Sequence, residues 1–141
     1  MQRRLGLLLQ RLQNVYSRNL DHYAKSIGLT GTQMLIIEYL ASFRQKKPLY
    51  QKDVEHEFNI RKSTATNILN LMVQKGLIVR MTSSVDARLK ELELTQKAEQ
   101  LDEQVTQYFI ASEQKTEQIL GKQAKQELMA DLVKLEQALN K

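Results

Sequence analysis

The chain has 141 residues, which is enough for one domain with a hydrophobic core. It contains no cysteine and only two histidines, which excludes disulfides and thiolate metal sites and predicts neither a metal nor a cofactor. The net charge is +5, and residues 61–90 alone carry six Lys or Arg against one Asp. Such a local excess indicates a polyanion partner, but a solvated basic face without a partner fits the charge equally well.

The N-terminal segment carries several leucines but does not predict export or a membrane span. No apolar run approaches the roughly 20 residues that cross a bilayer. Gln10 and Arg11 interrupt the leucines early, and no small-residue cleavage site follows them. We therefore expect a helix of a soluble, cytoplasmic protein, with no membrane partner.

The first two helices are predicted from apolar spacing and from their ends. Apolar residues recur at intervals of three and four from about residue 3 to 26, and Gly28 ends the pattern. Thr30 and Gln33 match a capping box, which predicts the start of a second helix. The expected inner face of that helix consists of Met34, Ile37, Leu40 and Ala41.

The middle of the chain changes from helical to strand periodicity. A third helix is predicted over about 51–58 and a fourth over about 62–75, which Gly76 ends. Two runs of period two, before and after a polar loop at 83–87, then indicate a β-hairpin. Thr95 fits the N-cap of a long helix, and Gly121 separates it from a last helix at about 122–140.

Helix, turn, helix and hairpin follow each other in the order of a winged helix-turn-helix, within a mainly α fold. The second helix of the pair would then enter the DNA major groove. Its polar face carries hydroxyl and amide groups, which suit phosphates and base edges, and no acid occurs between Glu57 and Asp86. An ordinary polar helix face is the alternative. The predicted DNA-binding residues are Arg61, Lys62, Ser63, Thr64, Thr66, Asn67, Asn70, Lys75, Asp86 and Arg88.

The hairpin tip contains an Asp-x-Arg sequence. Arg88 is suited to a narrow minor groove or to the DNA backbone, and Asp86 to orienting its guanidinium. By spacing alone, a surface turn with a weak ion pair explains these two residues better.

The run from Leu29 to Thr95 resembles the MarR family of bacterial regulators. The resemblance is carried by Val54, Phe58 and Ile60, by Ser63-Thr64-Ala65-Thr66-Asn67, by the run from Leu71 to Ile78, and by Asp86-Ala87-Arg88 followed by Leu94-Thr95. It implies groove contacts from Ser63, Thr64, Thr66 and Asn67, and a wing contact from Arg88 that Asp86 supports. Two features depart from the family: Arg61-Lys62 stands where many relatives have a Ser or Asp cap, and residues 83–85 lack basic side chains.

The terminal helices carry more apolar surface than a small winged helix can cover. A leucine stripe is more often intramolecular core, but residues between 34 and 94 already supply that core, so the surplus favours pairing between chains. We expect one MarR-like domain over 1–141, with a DNA-binding lobe at about 29–95 and dimerisation helices at about 1–28 and 96–141. The predicted dimerisation residues are Leu5, Leu8, Leu9, Leu12, Leu128, Leu132, Leu135 and Leu139.

The resemblance also implies a small effector, often phenolic or anionic, that binds between the dimerisation helices and the DNA-binding lobe. Its candidate contacts are Arg11, Tyr16, His22, Tyr23 and Tyr39, although a tyrosine on a helix face is more often core with its hydroxyl at the rim.

The function predicted from these features is a sequence-specific regulator, commonly a repressor, that binds a near-palindromic double-stranded operator as a homodimer. A winged helix that contacts only protein is the alternative. An enzyme is not expected, because the sequence shows neither a Gly-rich phosphate loop nor a cluster of His with carboxylates.

Overall fold

The computed structural model describes residues 2–140, and within them the chain forms six helices and one two-stranded antiparallel sheet. The predicted mainly α winged helix-turn-helix is confirmed, and the first helix and the last four begin and end within two residues of their predicted bounds. The elements are α1 Leu5–Ser26, α2 Gly31–Phe43, α3 Gln51–Glu57, α4 Lys62–Gln74, β1 Ile78–Thr82, β2 Lys90–Leu94, α5 Gln96–Leu120 and α6 Lys122–Leu139.

The corner between α1 and α2 is built from a glycine turn and a capping box. Gly28 has a φ of 78°, which ends α1 at little steric cost. The Gln33 amide N–H donates to Thr30 Oγ1 at 3.2 Å, and the Thr30 amide N–H donates to Gln33 Oε1 at 3.0 Å. The Gly31 amide N–H also donates to the Asp21 carboxylate of α1 at 3.0 Å. The predicted capping box is therefore present, and it lies against α1.

The turn between α3 and α4 is a Schellman-type ending with Asn59 in the left-handed region, at φ 49°. The amide of Ile60 donates to Glu55 O at 3.0 Å, and the amide of Asn59 donates to His56 O at 3.3 Å. These bonds satisfy the last carbonyls of α3 and direct the chain into α4. Asparagine tolerates a positive φ better than most residues, which explains the short turn without glycine.

The hairpin is attached to the rest of the winged helix along one edge. Ile78 pairs with Leu94 and Thr82 with Lys90, and the amide of Leu92 donates to Leu49 O at 2.7 Å. One face of the hairpin is buried through Ile78 and Leu92, whereas the opposite face exposes residues 79 and 81. The segment before α3 thus fixes the base of the wing next to the helix-turn-helix.

The chain divides into two compact units, one ending at Val105 and the other beginning at Thr106. The first holds the winged-helix core, in which the predicted inner residues of α2 are buried, except that Ala41 is only half-buried. On α4, Ala65, Leu69 and Met72 are buried and Ile68 is half-buried. In the second unit, Gly121 (φ 89°) lets the chain turn from α5 into α6, and Lys125 Nζ lies 3.3 Å from Glu113 Oε1. No side chain in the described part of that second unit is fully buried.

Candidate nucleic-acid interface

The predicted polar face of α4 lies on the outside of the winged helix. Ala65, Leu69 and Met72 are buried on the inner face. The hydroxyl and amide residues of the other face are exposed, apart from Thr66, which is half-buried. The prediction that this face is accessible is therefore confirmed. The accessible residues are Arg61, Lys62, Ser63, Thr64, Asn67 and Asn70.

The start of α4 combines free amides with positive side chains. Arg61 is the N-cap, and its side chain makes no capping hydrogen bond to the described residues. The first turn contains Lys62 and no acid. The first amides of a helix lack intrahelical acceptors and carry the positive end of the helix dipole. This end of α4 therefore favours an anion, and the missing Ser or Asp cap leaves it open.

Gln51, the first residue of α3, contacts the polar face of α4. Its Nε2 donates to Thr66 Oγ1 at 2.9 Å and lies 3.4 Å from Lys62 O. Gln51 was not predicted as a site residue, because nothing in the local pattern indicates which α4 residue it meets. The contact fixes Thr66 at the edge of the helix-turn-helix.

Arg80 on β1 joins the wing to the same face of α4. Its Nη2 donates to Asn70 Oδ1 at 2.9 Å. Arg80 was counted in the basic segment but was not predicted as a site residue. The predicted residue Asn70 is thus held by a cation from the neighbouring strand.

The tip of the wing contains the predicted pairing of Asp86 and Arg88. The Arg88 backbone amide and Nε donate to Asp86 Oδ1 at 3.0 and 3.1 Å, and Nη2 donates to Oδ2 at 3.0 Å. These side-chain and backbone hydrogen bonds lower the pKa of Asp86, so the carboxylate stays charged. The Arg88 side chain is nonetheless 89% exposed, which leaves its outer N–H groups accessible.

The loop that carries this pair is supported from below by Tyr50 and Ser83. The two hydroxyl groups lie 2.9 Å apart, and Ser83 Oγ accepts from the amides of Val85 and Asp86 at 3.1 and 3.4 Å. Ser83 is buried, although the sequence suggested an ordinary polar loop residue. The wing tip therefore has an internal anchor in addition to its strands.

Lys75 lies away from the predicted surface, at the opposite end of α4. Its Nζ donates to Gly28 O at 2.9 Å and to Gln33 Oε1 at 3.0 Å. The DNA contact of Lys75 stays a prediction, and two of the three N–H donors of its ammonium already bond to the corner between α1 and α2. A lysine next to a helix-ending glycine carries no sequence signal that separates these two roles.

The predicted effector residues are not gathered in one place within the first unit. Arg11 and His22 share one side of α1, whereas Tyr16 and Tyr23 lie about 100–140° around that helix from them. Tyr39 is on α2, and its ring contacts Phe43 and Phe58 with centroids 5.3 and 5.7 Å away.

The hydroxyl of Tyr39 lies in an apolar and acidic setting. Burial first, and the carboxylates of Asp53 and Glu57 next, raise the pKa of Tyr39. This placement matches the alternative that the sequence left open, an aromatic core residue with its hydroxyl at the rim.

The predicted dimerisation leucines are all exposed in the single chain. Those of α1 expose 40–56% of their surface, and those of α6 expose 38–76%. α6 has no buried residue at all. Exposed leucines at this density are unusual for a monomer and typical of an interface. The set comprises Leu5, Leu8, Leu9, Leu12, Leu128, Leu132, Leu135 and Leu139.

A metal site and a membrane span are two further possibilities within residues 2–140. No group of three or more His, Asp or Glu side chains is arranged to hold a metal ion there. None of the helices described is both long and apolar enough to cross a membrane.

Comparisons with known proteins agree with this architecture. Residues 27–89 match the model of the MarR family. The chain is 31% identical over 116 residues to the HTH-type transcriptional regulator FarR of Neisseria gonorrhoeae. The aligned stretch covers 80% of this chain and 77% of FarR. It is 37% identical to the transcription regulator MarR of Oenococcus oeni, whose crystal structure has a TM-score of 0.85 over 98% of this chain and 100% of that one.

A further structure, of S. aureus MepR in complex with DNA, shares the fold with a TM-score of 0.88 at 24% identity, over 96% of each chain. The identity with FarR and with the Oenococcus oeni protein, over most of each chain, shows that this chain belongs to the MarR family of transcriptional regulators.

Proposed function

We propose that the chain is a transcriptional regulator that binds double-stranded DNA as a homodimer. α4 would lie in the major groove, and the wing would follow the adjacent backbone or minor groove. The observation that carries this proposal is the exposed, acid-free polar face of α4, flanked by Arg61, Lys62 and the wing residue Arg88. MepR, which has the same fold, forms a complex with DNA, and this supports the proposal.

The residues of the interface divide by chemistry. Arg61, Lys62 and Arg88 are cations that suit phosphates, which position a protein on DNA without reading its sequence. The hydroxyl and amide side chains suit base edges, and Asp86 orients Arg88 instead of contacting DNA itself. The base-reading set is Ser63, Thr64, Thr66, Asn67 and Asn70.

The exposed leucines of α1 and α6 support the homodimer. A two-fold dimer would set its two α4 helices about 34 Å apart, one turn of DNA, and would require a near-palindromic site. Repression would follow where that site overlaps a promoter. An effector would act only through different affinities for the DNA-binding and the free arrangement of the dimer, and its contacts at Arg11, Tyr16, His22, Tyr23 and Tyr39 stay a prediction.

Salt dependence of DNA binding tests this proposal against a winged helix that contacts only protein. We expect the affinity for duplex DNA to fall steeply with salt, by a log–log slope of about 0.9 per neutralised phosphate. Replacing Arg61 and Lys62 by Gln removes four cations from the dimer and should reduce that slope by about 4. The matched control replaces Lys122 and Lys134 of α6 by Gln, removes the same charge and should leave the slope nearly unchanged. Absence of duplex binding at low salt would refute the proposal.

A further inference from the structure

Two polar residues on the proposed DNA-facing surface are held by neighbours that lie outside the predicted site. Arg80 holds Asn70, and Gln51 holds Thr66. We propose that Arg80 and Gln51 fix which hydrogen-bonding atoms of Asn70 and Thr66 point outward from α4, so that both residues present donors to the DNA. This inference rests on the proposed function and concerns which groups of the bases that same surface reads.

The direction at Asn70 follows from the chemistry of arginine. A guanidinium has five N–H donors and no acceptor, so the amide atom that faces Arg80 at 2.9 Å must be the oxygen. In a planar amide the amino group then points away from Arg80. Asn70 is exposed, and its amino group is the part that points outward from the contact with Arg80.

The direction at Thr66 follows from a second acceptor near Gln51. Lys62 O can only accept, and the Gln51 amide atom that faces it at 3.4 Å also lies 2.9 Å from Thr66 Oγ1. That atom is therefore the amino nitrogen, and Thr66 Oγ1 accepts from it. The hydroxyl hydrogen of Thr66 consequently remains to donate elsewhere.

This arrangement predicts which base groups each residue reads. Asparagine reads adenine through two bonds, in which its oxygen accepts from N6 and its nitrogen donates to N7. Arg80 takes one lone pair of the Asn70 oxygen and holds that oxygen toward β1, so the outward amino group is set to donate to acceptors such as guanine O6 and N7, thymine O4 or a phosphate oxygen. Asn67 has no such neighbour among the described residues and keeps both amide groups, so the two-bond contact with adenine falls to Asn67.

Arg80→Met tests the assignment, because it removes the donors and keeps an apolar chain on β1. The readout is the base preference obtained by selecting bound duplexes from a randomised pool. We expect the preference at the base pair that Asn70 contacts to shift toward adenine by at least about fivefold, the lower end of what one two-bond contact discriminates. Arg80→Lys, which can also only donate, should keep the original preference. In the Asn70→Ala background, Arg80→Met should have no further effect on preference.

Two comparisons separate this role from a simple phosphate contact. If Arg80 only binds phosphate, Arg80→Met weakens binding of the dimer to every sequence alike, lowers the salt slope by about 2 and leaves base preference unchanged. The inference is then wrong. Lys52→Met on α3 is the charge control, and it should leave base preference unchanged.

A second variant keeps the test independent of how well Arg80→Met folds. Asn70→Asp preserves an acceptor for Arg80 and removes the outward donors, so preference should move toward cytosine, whose N4 group donates. Unchanged preference in Asn70→Asp would overturn the inference. Failure of the wild-type chain to bind any duplex would instead overturn the proposed function.

Discussion

Introducing charge into the leucine stripe of α6 should separate the subunits of the proposed homodimer. The change is the double substitution Leu132→Lys and Leu135→Lys. Both side chains are exposed in the single chain, by 38% and 39%. The substitution therefore leaves the fold of one subunit largely intact and acts on the surface that a second subunit would cover.

The size of the effect follows from the area that dimerisation would bury. Burying a whole leucine side chain contributes about 1.5–3 kcal/mol, so covering the exposed two-fifths contributes about 0.6–1.2 kcal/mol per residue. The two substitutions remove four leucines from a symmetric dimer, which amounts to about 2–5 kcal/mol. The dimer dissociation constant should rise from about 30-fold to a few thousand-fold, and burial of the lysine charges adds to this.

Sedimentation equilibrium measures the dissociation constant, and a mobility-shift assay measures the DNA affinity that depends on it. The matched control, Gln126→Lys with Gln137→Lys, adds the same charge to the opposite side of α6 and should change neither quantity by more than a fewfold. Circular dichroism confirms that both variants keep their helices. A stripe variant that stays dimeric and binds DNA as the parent does would show that these leucines do not form the interface.

Two further predictions concern the wing tip and the corner between α1 and α2. Because the bonds from Arg88 lower the pKa of Asp86, the carboxylate should stay ionised as pH falls through the usual Asp range and lose the ion pair only below it. Arg88→Ala should raise the pKa of Asp86 in an NMR titration, and an unchanged pKa would contradict the assigned cause. Gly31→Ala should lower the unfolding free energy, measured by urea denaturation, by about 1–2 kcal/mol, because a Cβ there would displace the Asp21 carboxylate that accepts a hydrogen bond from the Gly31 amide. Gly6 has open space around it, so Gly6→Ala should be neutral or stabilising.

The element bounds were predictable because their signals are local. The capping box at Thr30, the glycines at 28, 76 and 121, and the change of period after Gly76 each fix one boundary from adjacent residues. The ion pair of Asp86 with Arg88 was predictable for the same reason, since the two residues are close in sequence and share one turn.

The supporting contacts of the site were not predictable, because their partners come together only through packing. Gln51 lies 15 residues from Thr66, and Arg80 lies 10 residues from Asn70, in different elements. The contacts of Lys75 were not predictable for the same reason: its acceptors, Gly28 O and Gln33 Oε1, are more than 40 residues away along the chain. A sequence pattern shows that a side chain is basic, but not which acceptor it meets.

The hydrogen bonds of Lys75 attach one end of α4, so a tilt at that end displaces the other end the most. The helix is tied to the corner of α1 and α2 at its last turn, while Lys62 to Gln74 extends about 20 Å away from that attachment. A tilt of about 10° around the tied end would therefore displace the first turn of α4 by roughly 3 Å, more than a hydrogen bond tolerates. Small movements at one corner of the protein are thus magnified at the far end of the helix.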